Sequence, residues 1–297
     1  MTAYLKAMRL ERWPRSAAIF VGSAAYFFLN RSSLAGFTVS GLGFRLALAF
    51  VLTWAISTAN YIINEIVDAP FDLHHPTKRL RPLPSGEIRI LPFIGLGVLL
   101  TLIGLIPAWV FFSRPFRFSL LSLLAAGFIY NVKPLRTKDI PFLDAVSESA
   151  NNPIRFLIGW YACAPAGFFP PLSLLCSWWA FGNFLMVAKR LSEFRFLKEK
   201  ARDYRISHRV YSTPSLVAGM AASAAVFFLS YFYFAVRYGL KSFLFLSPLL
   251  FGYFLFIFLR TLKEKEVMEE PELLFQRPLF AIYTFALFLL FLLLFLL

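Results

Sequence analysis

The sequence has few charged residues and almost no cysteine. Only 15% of its 297 residues are charged and 59% are hydrophobic, whereas a soluble domain averages roughly 25% charged residues. The two cysteines, Cys163 and Cys176, form no Cys-x-x-Cys or Cys/His pattern, so neither a zinc site nor a disulfide framework is indicated. The apolar blocks also lack the period-2 alternation that membrane strands need. These absences exclude an ordinary soluble domain and predict an all-α integral membrane protein.

Acidic residues are scarce as well: 16 Asp and Glu stand against 30 Lys and Arg. The net charge of +14 could suggest nucleic-acid binding, but 23 of the 30 cations fall in alternate loops between apolar spans. The positive-inside rule explains this asymmetry and predicts that the N-terminus and the basic loops lie in the cytoplasm. The protein is expected in the cell's inner membrane. We therefore expect no nucleic-acid partner.

Nine apolar blocks are long enough for membrane helices, and the fourth is the shortest. The first block follows Arg12–Arg15 with no small-residue cleavage site after it, which favours a retained helix over a signal peptide. No linker or second soluble domain interrupts them, so residues 1–297 are predicted to form one transmembrane domain. The predicted spans are 16–30, 44–66, 91–112, 118–131, 142–162, 171–191, 215–236, 243–260 and 278–297.

The strongest polar cluster ends the second span. Asn60, Asn64 and Asp68 are spaced by four and share one helix face, with Glu65 one turn before Asp68 and Asp72 one turn after it. Acids this close repel one another unless a cation binds them. A few hard oxygen ligands suit Mg²⁺, which keeps several waters and binds phosphate oxygens. The cluster therefore predicts a magnesium site; the alternative is a solvated helix end.

A basic loop follows these acids directly. Pro70 predicts that the helix breaks near Asp72, and the loop then brings Lys78, Arg79 and Arg81 beside the carboxylates. Acids that bind a metal, next to cations that bind phosphate, make a set complementary to a metal–diphosphate. Loop cations that merely obey the positive-inside rule are the alternative, and we accept that reading for Arg89.

The fifth span carries a polar stripe. Asp144, Glu148, Asn151 and Arg155 are spaced to lie on one face of an apolar helix. Ionisable residues inside a membrane helix indicate function by default, although an internal salt bridge from Glu148 to Arg155 or Asp144 is the alternative. Two residues just upstream join this candidate substrate site: Tyr130 and Lys138.

The sixth span ends with Lys189, Arg190 and Glu193. They could bind substrate at the membrane surface, or they could be long side chains that reach the interface from a helix end. Spacing alone does not decide between the two.

Two of these motifs, taken together, resemble the first aspartate-rich motif of the UbiA superfamily of intramembrane transferases. The resemblance is carried by Asn64-Glu65-x-x-Asp68-x-x-x-Asp72 and Lys78-Arg79-x-Arg81-Pro82-x-x-Ser85-Gly86. Within it, the decaprenyl-phosphate phosphoribosyltransferases are similar in further segments. These segments are His75 to Pro82, Lys138 with Asp144 and Arg155, Lys189-Arg190-x-x-Glu193, and Glu270-Pro-Glu272.

The resemblance implies a helical bundle around a cavity open at the cytoplasmic side, with Mg²⁺ and a diphosphate at its mouth. It implies catalytic roles for Asn64, Asp68, Asp72 and Asp144, and metal binding by Asn64, Glu65, Asp68 and Asp72. Glu65 departs from the family pattern, which usually has Asp there, and Pro70 interrupts it. Other residues are expected to bind substrate: Asn60, Lys78, Arg79, Arg81, Tyr130, Lys138, Glu148, Asn151, Arg155, Lys189, Arg190 and Glu193.

Three functions are compatible with these residues. The leading hypothesis is transfer of phosphoribose from phosphoribosyl pyrophosphate to a polyprenyl phosphate, because donor and lipid together carry many phosphate charges. The second is prenyl transfer from a prenyl diphosphate to an aromatic or other acceptor. The third is transport of an anionic lipid, which needs no metal-binding acids, and no inverted repeat is evident between the halves. An oligomer is possible with any of them.

Overall fold

The structure is a computed structural model that describes residues 2–73, 78–197, 206–263 and 278–296. All regular secondary structure in those ranges is helical, which confirms the all-α prediction. Two parts of the sequence interpretation lie outside the described residues: the start of the basic loop at 74–77, which includes His74 and His75, and the segment 270–272.

Each predicted span coincides with helix, and two of the spans are divided. Among the described residues, four helices are long and apolar enough to cross a membrane: Val39–Asp72, Ile90–Phe111, Leu172–Arg195 and Thr213–Arg237. The helices are α1 (Thr2–Ala7), α2 (Trp13–Ser16), α3 (Ile19–Leu29), α4 (Val39–Asp72), α5 (Ile90–Phe111), α6 (Arg114–Asn131), α7 (Leu143–Ser149), α8 (Asn151–Cys163), α9 (Leu172–Leu197), α10 (Thr213–Arg237), α11 (Lys241–Phe245), α12 (Ser247–Lys263) and α13 (Pro278–Leu296).

Proline accounts for both divisions. The fifth predicted span separates at Ala150 into α7 and α8, and Pro153 lies in the first turn of α8. The eighth separates at Leu246 into α11 and α12, with Pro248 as the second residue of α12. Proline has no N–H to donate to the carbonyl four residues earlier, so it is tolerated in a first turn and interrupts a continuous helix.

α4 ends at Asp72, near which the sequence predicted that the helix breaks. Pro70 itself lies inside the helix and does not turn the residue before it out of helical conformation. The Leu73 N–H still bonds to the Ala69 carbonyl, so the helical path is kept on both sides of the proline. Asp72 is the last helical residue and therefore remains in register with Asp68 on the same face.

The chain forms two compact units. Unit 1 comprises residues 1–137 and 150–170, and unit 2 comprises residues 138–149 and 171–297. The polar stripe predicted for one helix is therefore shared: Asp144 and Glu148 lie on α7 in unit 2, and Asn151 and Arg155 lie on α8 in unit 1.

Unit 1 is held by very close helix contacts. A Cβ atom added to Gly159 on α8 would lie 1.7 Å from the backbone oxygen of Ile19, and one added to Gly22 on α3 would lie 2.0 Å from that of Phe156. The Ser23 hydroxyl donates to the Gly159 carbonyl at 2.7 Å across the same contact. Small residues let two membrane helices approach this closely. A hydroxyl group of one helix can then donate a hydrogen bond to a backbone carbonyl of the other.

Unit 2 has an aromatic core around α9. The ring of Phe254 on α12 lies 4.7 Å from that of Phe184 on α9 and 4.6 Å from that of Phe227 on α10. Aromatic rings bury large areas and fill the space between helices with few rotamers. This packing holds α9 and α10 against α12 within unit 2.

Candidate functional site

The three carboxylates at the end of α4 are each paired with cations. Arg136 Nη2 lies 3.4 Å from Asp68 Oδ1, and Arg81 Nη1 lies 2.6 Å from Asp72 Oδ2. Glu65, the most buried of the acids at 1% exposure, pairs with Arg9 at 3.0 Å. We call this group the α4 acid cluster: Glu65, Asp68, Asp72, Arg9, Lys78, Arg81 and Arg136.

The basic loop reaches the cluster as predicted. Lys78 begins a short 3-10 turn, and its Nζ lies 3.9 Å from Asp72 Oδ1. Arg81, just after that turn, bonds to the other oxygen of Asp72. Arg79, between them, is exposed. The turn thus places two of the three predicted cations on Asp72.

Two members of the cluster are absent from the residues that the sequence singles out. Arg136 has φ of 29°, and its guanidinium lies 4.8 Å from the centre of the Phe71 ring while it reaches Asp68. Arg9 has φ of 52° and comes from the N-terminal segment. Both contacts join residues more than 50 positions apart. Sequence spacing within one helix carries no signal for such pairs.

The pKa of the Arg9 guanidinium is shifted by its surroundings. Burial lowers the pKa of the Arg9 guanidinium, and the charges of Arg81 and Arg12 lower it further, whereas Glu65 raises it. Arginine nonetheless stays protonated, because its ordinary pKa is so high. Glu65 therefore supplies the counter-charge that a buried guanidinium requires.

Two predicted substrate-binding residues hold helices together. Asn60 on α4 donates from Nδ2 to the Leu123 carbonyl on α6 at 2.8 Å, and Gly127 leaves the space for its amide. Arg155 on α8 lies with Nη2 3.5 Å from the Ser57 hydroxyl on α4. Neither contact tests a role in substrate binding, which stays a prediction. Asn64, Tyr130 and Asn151 are half-buried.

A second cluster lies in unit 2 around Arg190. This side chain is fully buried, with Nε 2.7 Å from Asp144, Nη2 2.8 Å from Glu148 and Nη1 3.3 Å from Glu193. The sequence analysis expected Arg190 to emerge at the membrane surface, either as a substrate ligand or as a side chain that reaches the interface. Its side chain lies among acids of α7 and α9, and a role in substrate binding stays a prediction. Lys189, the preceding residue, is half-buried, whereas Lys138 is buried.

Asp144 has both oxygens occupied. Oδ2 accepts from Arg190 and from the Ser207 hydroxyl at 3.3 Å, and Oδ1 accepts from its neighbour's backbone N–H and from the Tyr211 hydroxyl. Burial first, and then the charge of Asp144, raises the pKa of Tyr211, so the phenol keeps the proton that it donates. This geometry favours a positioning role for Asp144 over direct contact with a substrate.

The donor chemistry of the α4 acid cluster fits Mg²⁺. In the described part of the chain, no three His, Cys, Asp or Glu residues are grouped as a ready-made metal site. Magnesium does not require one, because it binds one or two carboxylates and completes its shell with water and phosphate oxygens. Asp68 keeps 20% of its side chain exposed, and Asn64 precedes it by one turn on α4. These oxygens fit such a partial shell.

A sequence model of the UbiA prenyltransferase family matches residues 18–277, which is most of the chain. The chain belongs to the UbiA family. It is therefore a membrane transferase, as the resemblance implied. The four apolar helices described above agree with that assignment to an integral membrane protein.

Individual relatives of this UbiA-family chain have different names. Nodulation protein NoeC of Azorhizobium caulinodans is 28% identical over 238 residues, which are 77% of this chain and 71% of that protein. Decaprenyl-phosphate phosphoribosyltransferase of Mycolicibacterium smegmatis is 25% identical over 109 residues, which cover 37% of this chain and 33% of the relative. The similarity to the second relative thus spans about a third of its length.

A solved UbiA homolog from Archaeoglobus fulgidus, bound to GPP and Mg²⁺, has the same fold. The TM-score is 0.69 with 16% sequence identity, and the match covers 99% of this chain and 100% of that one. At that identity the likeness establishes the fold, and the chemistry must be argued from the side chains.

Proposed function

We propose that this UbiA-family transferase is Mg²⁺-dependent and moves phosphoribose from phosphoribosyl pyrophosphate to a polyprenyl phosphate. The observation that carries the proposal is the α4 acid cluster, in which acids and cations alternate in space. Three carboxylates meet four cations there, and each carboxylate lies within 4 Å of at least one of the cations. A site for metal and diphosphate together requires both kinds of group.

The cations are proposed to change partners when the donor binds. Lys78 and Arg81 now neutralise Asp72, and Arg136 neutralises Asp68. Asp68 and Asp72, with Asn64, would hold Mg²⁺, which supplies positive charge to stabilise the departing diphosphate. The released ammonium and guanidinium groups then bind diphosphate oxygens. Arg81 and Arg136 suit this role because a guanidinium bonds phosphate in a bidentate way.

The number of cations favours phosphoribosyl pyrophosphate as the donor. This donor carries a monophosphate besides its diphosphate, and the lipid acceptor carries another. Arg79, an exposed cation on the same loop as Lys78 and Arg81, is an additional candidate ligand. The name of the Mycolicibacterium relative supports this choice. We further propose that the α4 acid cluster faces the cytoplasm, because the loops that supply its cations are the basic ones.

Prenyl transfer is the second candidate. It is favoured by the fold shared with the Archaeoglobus protein that binds GPP and Mg²⁺. A prenyl diphosphate requires the same metal and diphosphate groups and lacks the additional phosphate. The two candidates therefore predict the same α4 acid cluster and differ in the donor.

The deciding experiment compares two labelled donors on the purified protein with Mg²⁺. We expect transfer of label from phosphoribosyl pyrophosphate to a polyprenyl phosphate, and none from a prenyl diphosphate to an aromatic acceptor. Arg79→Met is an informative variant because Arg79 is exposed and is a candidate phosphate ligand outside the α4 acid cluster. Transfer from the prenyl diphosphate alone would contradict the proposal and establish the second candidate.

A further inference from the structure

The N-terminal segment reaches the α4 acid cluster through one side chain. Arg9 lies between α1 and a 3-10 turn at Leu10–Arg12 and adopts left-handed backbone angles, with φ of 52° and ψ of 47°. A non-glycine residue in that region is strained by roughly 1–3 kcal/mol and persists where surrounding contacts hold it. Its guanidinium Nη2 lies 3.0 Å from Glu65 Oε2. Arg9, the residue with the strained backbone angles, is thus also the residue that pairs with Glu65.

Apolar packing fixes the segment independently of this ion pair. Ala7 and Met8 are buried against Ile62 on α4 and Phe93 on α5. The Tyr4 hydroxyl also accepts a hydrogen bond from a backbone N–H near the start of α5, at 3.2 Å. Because these contacts dock the segment, the Arg9–Glu65 pair is not its only attachment.

Arg81 lies between two acids that compete for it. Its Nη1 atom is 2.6 Å from Asp72 Oδ2 and 3.7 Å from Glu65 Oε2. Glu65 is buried, so its charge is poorly screened by solvent and attracts Arg81 strongly. Arg9 is the nearer partner of Glu65 and reduces that attraction. Arg9 and Arg81 thus share one carboxylate oxygen, Glu65 Oε2.

We propose that Arg9 is a positioning residue of the active site, which neutralises Glu65 so that Arg81 remains on Asp72 and is available to the donor diphosphate. The inference rests on the proposed function only for the identity of that donor. It assigns Glu65 a different role from the metal binding predicted from sequence. The buried Oε2 atom of this longer side chain pairs with the guanidinium groups of both Arg9 and Arg81.

A charge-removal cycle tests the proposal. Arg9→Met leaves Glu65 free to draw Arg81 away from Asp72, whereas Glu65→Gln removes the charge that competes for Arg81. We expect Arg9→Met to bind inorganic pyrophosphate with Mg²⁺ about tenfold more weakly than the parent, and Glu65→Gln to bind it no more weakly than the parent, as measured by calorimetry. The double variant removes both charges and should bind within about threefold of the parent, which is a coupling energy between the two sites.

Lys6→Met is the matched control. Lys6 is an exposed cation on α1 in the same segment, and its loss should leave pyrophosphate binding unchanged. If Arg9 only anchored the segment, the double variant would bind pyrophosphate as weakly as Arg9→Met. If Glu65 were a metal ligand, the double variant would instead need a much higher Mg²⁺ concentration than the parent to bind pyrophosphate. Either result overturns the proposal.

Two further outcomes remain decisive. If Arg9→Met does not fold, recovery of a folded, pyrophosphate-binding protein by adding Glu65→Gln demonstrates the same coupling, and failure to recover contradicts it. If the parent binds no magnesium pyrophosphate, the proposed function fails. The thermal unfolding midpoints of the parent, the two single variants and the double variant are then compared without ligand. If the changes in midpoint of the two single variants add up to that of the double variant, the Arg9–Glu65 coupling itself is contradicted.

Discussion

Arg190 Nε lies 2.7 Å from Asp144 Oδ2, and neither side chain is exposed. The same guanidinium also bonds to Glu148 and Glu193, so one cation is shared by three acids. Such a pair fixes α7 against α9 within unit 2. Removing one partner leaves the other charge buried and uncompensated, which is why a buried pair is costly to break even when its net contribution is small.

We therefore predict that Arg190→Met strongly destabilises the protein. The expected loss is about 3–5 kcal/mol in free energy of unfolding, seen as a much lower thermal midpoint in detergent. Lys189→Met is the control, because it removes the same charge from the neighbouring, half-buried residue and should leave the midpoint nearly unchanged. Equal midpoints for the two variants would contradict the structural role of Arg190.

The different positions of Lys189 and Arg190 show what sequence reasoning reached and what it did not. Twenty-residue apolar blocks predicted where the helices lie, because a bilayer imposes that length. Spacing within α4 predicted that Asn60, Asn64 and Asp68 share one helix face. Spacing could not predict that Arg190 turns inward, because its partners Asp144 and Glu148 are more than 40 residues away.

Helix interruptions were predictable only in part. Pro153 and Pro248 mark the divisions at Ala150 and Leu246, yet Pro70 lies inside α4 without ending it. Near a helix end, proline removes one backbone hydrogen bond, and neighbouring contacts decide whether the helix continues. Here Arg81 and Lys78 hold Asp72 just beyond the proline.

Asp68 is predicted to be required for turnover. Asp68→Asn preserves side-chain size and removes the charge that would bind Mg²⁺, so we expect turnover to fall at least about 100-fold, or about 2.7 kcal/mol in activation free energy. The thermal midpoint should change little, because Asp68 is partly exposed. Glu87→Gln, at an exposed acid in the loop that follows the α4 acid cluster, should retain parental turnover. Near-normal Mg²⁺-dependent turnover of Asp68→Asn would remove Asp68 from the mechanism.

Metal removal should separate binding from folding. We expect EDTA to abolish turnover and Mg²⁺ to restore it, with no change in the far-UV circular dichroism, because the helix contacts described for each unit are made by protein groups. Mg²⁺ and pyrophosphate together should raise the thermal midpoint, since a ligand at about 100 times its Kd stabilises the folded state by about 2.7 kcal/mol. Pyrophosphate with EDTA is the control. A similar rise in that control would show that the cations alone bind the diphosphate.

The contact of α3 with α8 should tolerate no side chain at Gly159. A Cβ there would lie 1.7 Å from the Ile19 oxygen and 2.6 Å from its carbonyl carbon. Backbone atoms cannot rotate away as the end of a side chain can, so the two helices must separate, and the Ser23 bond to Gly159 lengthens with them. We predict that Gly159→Ala lowers the free energy of unfolding by about 1–3 kcal/mol or more.

Gly95→Ala is the matched control for Gly159→Ala. It adds the same methyl group to another helix, α5, at an exposed position where nothing lies within 4 Å of the new Cβ. Alanine there is expected to be neutral or to stabilise by about 0.5–1 kcal/mol, because glycine has more conformational freedom to lose on folding. Thermal midpoints in one detergent measure both variants. Gly22→Ala, the reciprocal change against the Phe156 oxygen, should behave like Gly159→Ala, and a midpoint for either variant as high as that of Gly95→Ala would mean that the helices are not in this close contact.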